Sequence, residues 1–69
     1  MSIRRGSTVT WKWGRSTASG TVAEIHHDKV TRQTKGESVT RNGSREDPAY
    51  VIEQADGTVV LKLRSEVSR

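Results

Sequence analysis

Residues Thr8-Val9-Thr10-Trp11-Lys12-Trp13 constrain this chain more than any other stretch. Apolar Val9, Trp11 and Trp13 alternate with polar Thr8, Thr10 and Lys12. That period of two belongs to a strand with one face turned inward. Both tryptophans of the chain sit on that face, and there is no phenylalanine and a single tyrosine. The two indoles are therefore the largest apolar surfaces available, each able to bury on the order of 150–250 Å². Any core has to be assembled against them.

A chain of 69 residues has room for one small domain, 1–69. It buries only about 60% of its extended surface. No cysteine is present, which excludes disulfides and thiolate metal sites. Only 30% of the residues are hydrophobic, yet they fall in short Val- and Thr-rich runs between Gly-, Asn-, Asp- and Ser-bearing segments. Such runs predict an all-β fold rather than disorder. No apolar run approaches the ~18 residues of a membrane span. The basic start, Met1 to Arg5, is not followed by the apolar stretch of a secretory signal. A cytoplasmic protein without a membrane partner is expected. Lys and Arg total 12 against 8 Asp and Glu, a net charge of +4. That excess suits a solvated surface with weak attraction to phosphates or an acidic partner.

Residues 1–7 read as a frayed basic lead-in. Thr8–Trp13 is the first strand, 14–20 a loop of small polar residues, and the second strand runs from Gly20 to about His27. Val22 and Ile25 are three apart, so a regular strand sends them to opposite faces. A bulge near Ala23-Glu24 brings both to one core and bends the strand. A two-residue turn at Lys35-Gly36 pairs Thr34 with Glu37, Arg32 with Val39 and Val30 with Arg41. Neither face of this hairpin, 29–41, is properly apolar, so it reads as a protruding arm or sheet extension outside the core. Asp56-Gly57 reads as a type I′ turn. It sets Gln54 opposite Val59, Ile52 opposite Leu61 and Tyr50 opposite Leu63. Tyr50, Ile52, Val59, Leu61 and Leu63 then share a face, and Val67 closes the barrel. The expected fold is a small SH3-like barrel of about five bent antiparallel strands with an inserted β-hairpin. An OB-fold fits less well, because it needs more residues and a helix, and no 3.6-residue apolar period appears.

Several short motifs mark this plan: Gly6-x-x-Val9-x-Trp11-Lys12-Trp13, Gly20-Thr21-Val22, Val30-Thr31-Arg32, Lys35-Gly36, Val39-Thr40-Arg41, the run Asp47 to Ile52, Asp56-Gly57 and Ser65-Glu66. Through them the chain from Arg5 to Val67 resembles the hypervirulence-associated Tudor-domain family, small proteins built on an SH3-like Tudor barrel. The resemblance implies an architecture and names no ligand.

Tudor domains that read methylated lysine or arginine surround the cationic head with about three or four aromatics, held by cation–π attraction. This chain has three, Trp11, Trp13 and Tyr50. Trp11 is needed inside and Tyr50 has a core register, and core packing is the favoured reading for all three, Trp13 included. Trp13, at a strand end beside the Arg15–Ser19 loop, is the one placed to line a shallow groove with Tyr50. There Glu46, Asp47 or Glu53 could meet a cation. The ligand-binding candidates are Trp13, Tyr50 and Glu53. A second surface is basic: Arg15, Lys29, Arg32, Lys35, Arg41 and Arg45 are the nucleic-acid candidates, charges tracking phosphates while an indole stacks on a base. Asp28, Glu37, Glu46 and Asp47 interleave with them and reduce the field. His26 and His27, adjacent on a strand, point to opposite faces and make no metal site; no metal and no cofactor is expected. No G-x-S-x-G and no Gly-rich phosphate loop occurs, so the chain reads as no enzyme. A non-catalytic binding module for a protein segment or nucleic acid is predicted. The alternatives are a small homodimer built through the exposed hairpin edge, or a weak nucleic-acid binder using the basic hairpin.

Overall fold

A computed structural model of the chain describes residues 3–34 and 36–69. Six strands follow in order: β1 (Thr8–Trp13), β2 (Ser16–His26), β3 (Lys29–Thr34), β4 (Glu37–Asn42), β5 (Ala49–Glu53) and β6 (Val59–Leu63). A 3₁₀ turn, Arg64–Glu66, follows them. β1, β2, β5 and β6 form an antiparallel sheet in that order, and β3–β4 a separate hairpin. The fold is all-β. The sheet curls until the end of the chain meets its beginning. Thr10 N–H donates to Ser68 O at 2.8 Å, and Ser68 N–H to Thr10 O at 2.7 Å. No helix among the described residues is long and apolar enough to cross a membrane.

The bend lies in β2. Its register against β5 shifts between Val22 and Glu24, leaving Ala23 as the extra residue of a bulge. The bulge lets Val22 enter the core while Ile25 packs against the same cluster, as the three-residue spacing predicts. It also lets one strand serve two partners. Residues 16–21 pair with β1, and the part from Thr21 to His26 pairs with β5.

The core has two halves. Val9, Trp11, Val22, Tyr50 and Ile52 fill the concave side of the sheet. Val30, Ala49, Val51 and Leu61 form a second cluster on the other face, with Val39, Val59 and Leu63 packed against it. All four residues from Ala49 to Ile52 are buried, because β5 is covered on both faces. The β3–β4 hairpin is that second cover. It pairs in the predicted register but does not protrude. Val30, 5% exposed, is sealed against β5 and β6. A continuous apolar strand needs apolar partners on both sides, and Val30 and Val39 supply them.

Three other expectations change. The β5–β6 register is one residue away from the type I′ pairing. Glu53 faces Val59, Ile52 faces Val60 and Tyr50 faces Lys62. The reason is the turn. Gly57 N–H donates to Gln54 O at 2.9 Å and Gln54 N–H to Thr58 O at 2.8 Å. The loop is thus three residues long, with Gly57 at φ 89° in its last position. That is a turn followed by a left-handed glycine. Asp56 Oδ1 fixes it by accepting Thr58 N–H at 2.9 Å. A one-residue slip exchanges the faces, so Leu61 and Leu63 join the second cluster rather than Tyr50 and Ile52. Residues 16–20 are strand and not loop. Trp13 pairs with Ser16 across a two-residue Gly14-Arg15 turn. The lead-in is tied down from Ile3 onward. Ile3 packs against the core, Gly6 N–H donates to Val22 O at 2.8 Å, and Val22 N–H to Ser7 O at 2.9 Å. The first two residues of that lead-in lie outside the described residues.

Candidate functional site

In an antiparallel ladder, hydrogen-bonded and non-bonded pairs alternate, so every second residue turns its N–H and C=O away from its partner strand. Val22 N–H bonds Ser7 O on one side of β1. By alternation Val9, Trp11 and Trp13 face β2, while Thr8, Thr10 and Lys12 face outward. Thr10 uses its outward groups on Ser68. At the far edge, Arg64 N–H bonds Pro48 O at 2.9 Å and Gln54 N–H bonds Thr58 O. Val60 and Lys62 therefore face β5, and Val59, Leu61 and Leu63 face outward. Glu66 Oε1 takes the Leu63 N–H at 2.7 Å.

A groove of about 460 Å³ lies between these two edges, within the range of about 300–1,000 Å³ common to ligand clefts. Trp11, Trp13 and Ala18 wall one side, residues 59–62 of β6 the other, and β4 contributes Val39. Trp13 is 72% exposed and is the one large apolar side chain left in solvent among the described residues. Trp11, two residues earlier on the same face, is 6% exposed. The expected core packing of all three aromatics thus holds for Trp11 and Tyr50 and fails for Trp13, and the difference is position. β1 runs past the core, and Trp13 sits beside a tight turn opposite Ser16, with no bulky neighbour to cover it.

The groove is charged unevenly. Glu37 and Asp56 line it at the end where the two hairpin turns meet, and Arg41 and Lys62 line it further along. Arg41 Nε donates to Glu66 Oε1 at 3.1 Å. Burial raises the Glu66 pKa, but the Leu63 amide and the Arg41 guanidinium outweigh it and hold the carboxyl below its usual range. On the hairpin's other strand, Arg32 donates to Glu24 Oε1 at 2.6 Å, and His26 Nε2 lies 2.8 Å from the same oxygen. The His26 contact first, then Arg32, lowers the Glu24 pKa.

The sequence-predicted residues are therefore dispersed. Trp13 lies at the groove. Tyr50 is 1% exposed inside the core, where burial pushes its hydroxyl pKa up. The Trp13–Tyr50 groove does not form, and Trp11 takes the tyrosine's place in the wall. Glu53 is exposed at the end of β5 and does not line the groove. Arg15, Lys29 and Arg45 are exposed, at a turn, a strand start and a loop. Arg32 and Arg41 already hold carboxylates, and Lys35 lies outside the described residues. Arg4 and Arg5, passed over in the sequence, line a shallow cleft with Glu24, Ile25 and His26. Val39, Lys62 and the outward edge of β6 carried no local signal, because the groove is made by elements far apart in the chain. Among the described residues no three His, Asp or Glu side chains come together as a metal site would need.

Several of the short motifs have structural roles here. Asp47 accepts from Ser65, Glu66 from Leu63 and Arg41, and Gly20 lies against Ile52. The family model described as hypervirulence associated proteins TUDOR domain matches residues 6–67. No curated protein and no solved structure matches the chain. With a match over nearly its whole length and the curled all-β sheet the family name implies, the chain belongs to the hypervirulence-associated Tudor-domain family.

Proposed function

We propose that this Tudor domain is a non-catalytic module that binds an extended protein segment in the groove between β1 and β6, with Trp13 as the anchor. The exposure of Trp13 carries the reading. A chain with so few aromatics leaves one indole in solvent, at the mouth of a groove with apolar walls. Exposed apolar surface framed by polar groups marks interaction sites, and tryptophan is among the residues that dominate binding energy. The non-catalytic part rests on the family, whose Tudor architecture is that of a binding module. A nucleic-acid ligand draws less support. At Arg32 and Arg41 a phosphate would have to compete with Glu24 and Glu66.

A displayed library of short random peptides, selected on the protein, tests this. Recovered peptides should bind Trp13→Ala roughly ten-fold or more weakly, as loss of a binding hot spot does. Peptides that bind both proteins equally overturn the reading. So does a steeply salt-dependent affinity for generic DNA in place of any peptide.

A further inference from the structure

Arg4 and Arg5 stand side by side before Gly6, and the fold fixes them in a tight turn. Ser7 N–H donates to Arg4 O at 2.9 Å, and Gly6 takes the third position with φ 92°. A type II turn calls for glycine at that position. Ser7 Oγ accepts the Arg4 N–H at 3.1 Å, a second bond across the turn. Gly6 N–H donates to Val22 O at 2.8 Å and fastens the turn to β2. Both arginine side chains are exposed, and both line a cleft of about 370 Å³ with Glu24, Ile25 and His26. The cleft lies at the last residues of β2, whereas Trp13 pairs with Ser16 at its first.

The charges of this cleft are unbalanced. Among the described residues no carboxylate pairs with Arg4 or Arg5. Glu24 does not serve them, because Arg32 and His26 hold its Oε1. The contacts that lower its pKa are the same two, His26 first and then Arg32. Arg4, Arg5 and Arg32 thus stand against one carboxylate. A guanidinium fork donates two parallel hydrogen bonds to phosphate oxygens, and two forks on one fixed turn suit a single dianion. Protein modules read phosphorylated segments through arginine clusters of this kind. A nucleic-acid backbone fits less well, because it calls for a row of cations and the half-exposed Glu24 walls this cleft. We infer that the Arg4–Arg5 turn binds the phosphate monoester of a phosphorylated protein segment, at a site separate from the groove.

The experiment uses the full chain and three capped peptides, Ala-Gly-phosphoserine-Gly-Ala and its serine and glutamate counterparts, titrated by NMR at constant ionic strength. The phosphopeptide should shift the side-chain Nε–H signals of Arg4 and Arg5 and the Ile25 amide. The serine peptide should shift none of them, and the glutamate peptide should bind several-fold more weakly. Arg4→Lys with Arg5→Lys keeps the charge and removes the forks. It should weaken the phosphopeptide roughly ten-fold, the equivalent of one charge-assisted hydrogen bond. Undiminished binding by the lysine variant reduces the turn to a patch of charge and overturns the inference. So does a phosphopeptide that leaves the Arg4 and Arg5 signals unmoved in the wild-type chain. Inorganic phosphate should compete at higher concentrations, and binding as tight as the phosphopeptide's would make the source a free phosphate and overturn the protein partner. Single-stranded DNA that moves the same signals at lower concentration than the phosphopeptide overturns it in favour of nucleic acid. Trp13→Ala should bind the phosphopeptide as wild type does, so this site stands if the groove reading fails. Loss of the phosphopeptide in Trp13→Ala would move it to the groove and overturn the separate site.

Discussion

Asp47 holds Ser65 by both of its oxygens. Ser65 N–H donates to Oδ1 and Ser65 Oγ to Oδ2, each at 2.8 Å. The pair joins the loop before β5 to the 3₁₀ turn after β6. Ser44 supports it: its Oγ accepts the Asp47 N–H at 3.0 Å, and its own N–H donates to Asp47 O at 3.1 Å. Three residues beyond Ser65, Ser68 pairs with Thr10 and closes the sheet.

Asp47→Ala should therefore destabilise the fold. Hydrogen bonds to a charged acceptor contribute about 1.5–3 kcal/mol each where shielded, and these are exposed, so a total of about 1–2 kcal/mol is expected. In a domain of this size each kcal/mol lowers Tm by roughly 4–8 °C. Thermal unfolding followed by circular dichroism measures it. An unchanged Tm would show that the clamp contributes nothing to closure.

Arg32 should behave as a structural residue. Its guanidinium meets Glu24 at 2.6 Å. Arg32→Glu sets two carboxylates side by side and should lower stability by up to about 1 kcal/mol, the scale of a half-exposed ion pair. Adding Glu24→Arg restores the opposite charges and should recover most of the loss. A double-mutant cycle in urea reads the coupling, and additive effects would mean that the pair is not formed in solution.

Gly20 is needed for space. A Cβ there would lie 2.6 Å from Ile52 Cγ2 and 2.8 Å from Glu53 O. The first atom can rotate away, but the second is backbone in the adjoining strand. Gly20→Ala should cost about 1–3 kcal/mol as overpacking. A urea midpoint equal to that of wild type would show that β2 and β5 sit further apart than described.

Much of this was legible in the sequence. The alternation around Trp11 gave β1 with its bounds, and the Val22–Ile25 spacing gave the bulge. The Lys35-Gly36 turn gave the register of β3 and β4. The β5–β6 register was ambiguous for a physical reason. Residues 49–52 and 59–61 are continuously apolar, so either register buries hydrophobic side chains, and Asp-Gly suits both a two-residue turn and the end of a three-residue one. The unbroken run at 49–52 also fits burial on both faces, a signal that the assignment of one inward face passed over. Val30 and Val39 looked too few to cover a second face when the hairpin was read alone. The groove was least legible, because it is the gap left where β1 and β6 do not pair.

Acid should weaken the fold through Glu66. Its pKa in the folded state lies below the ordinary 4.5. A depressed carboxyl contributes stability that is fully present above the unfolded value and is lost as pH falls through the folded one. Stability should therefore be level near neutral pH and decline below about 4.5. Glu66→Gln, which keeps an acceptor for Leu63 N–H but no charge for Arg41, should lower stability at neutral pH and flatten the acid decline. Urea midpoints across the acid range test this, and an unaltered decline in the variant would assign it to other carboxyls such as Glu24.

The two tryptophans should separate folding from binding. Trp11 is buried against Val9, Val22, Tyr50 and Ile52, and Trp11→Ala should cost about 3–5 kcal/mol. That is a large share of the roughly 5–15 kcal/mol that holds a typical domain together. Trp13 is 72% exposed, and Trp13→Ala should change stability by no more than about 0.5 kcal/mol, as surface substitutions do. Fluorescence reports both. In Trp13→Ala the remaining indole is buried, so emission should shift to the blue with the unfolding midpoint unchanged. A Trp13→Ala protein that melts early would place that indole in the core and remove the anchor on which binding in the groove depends.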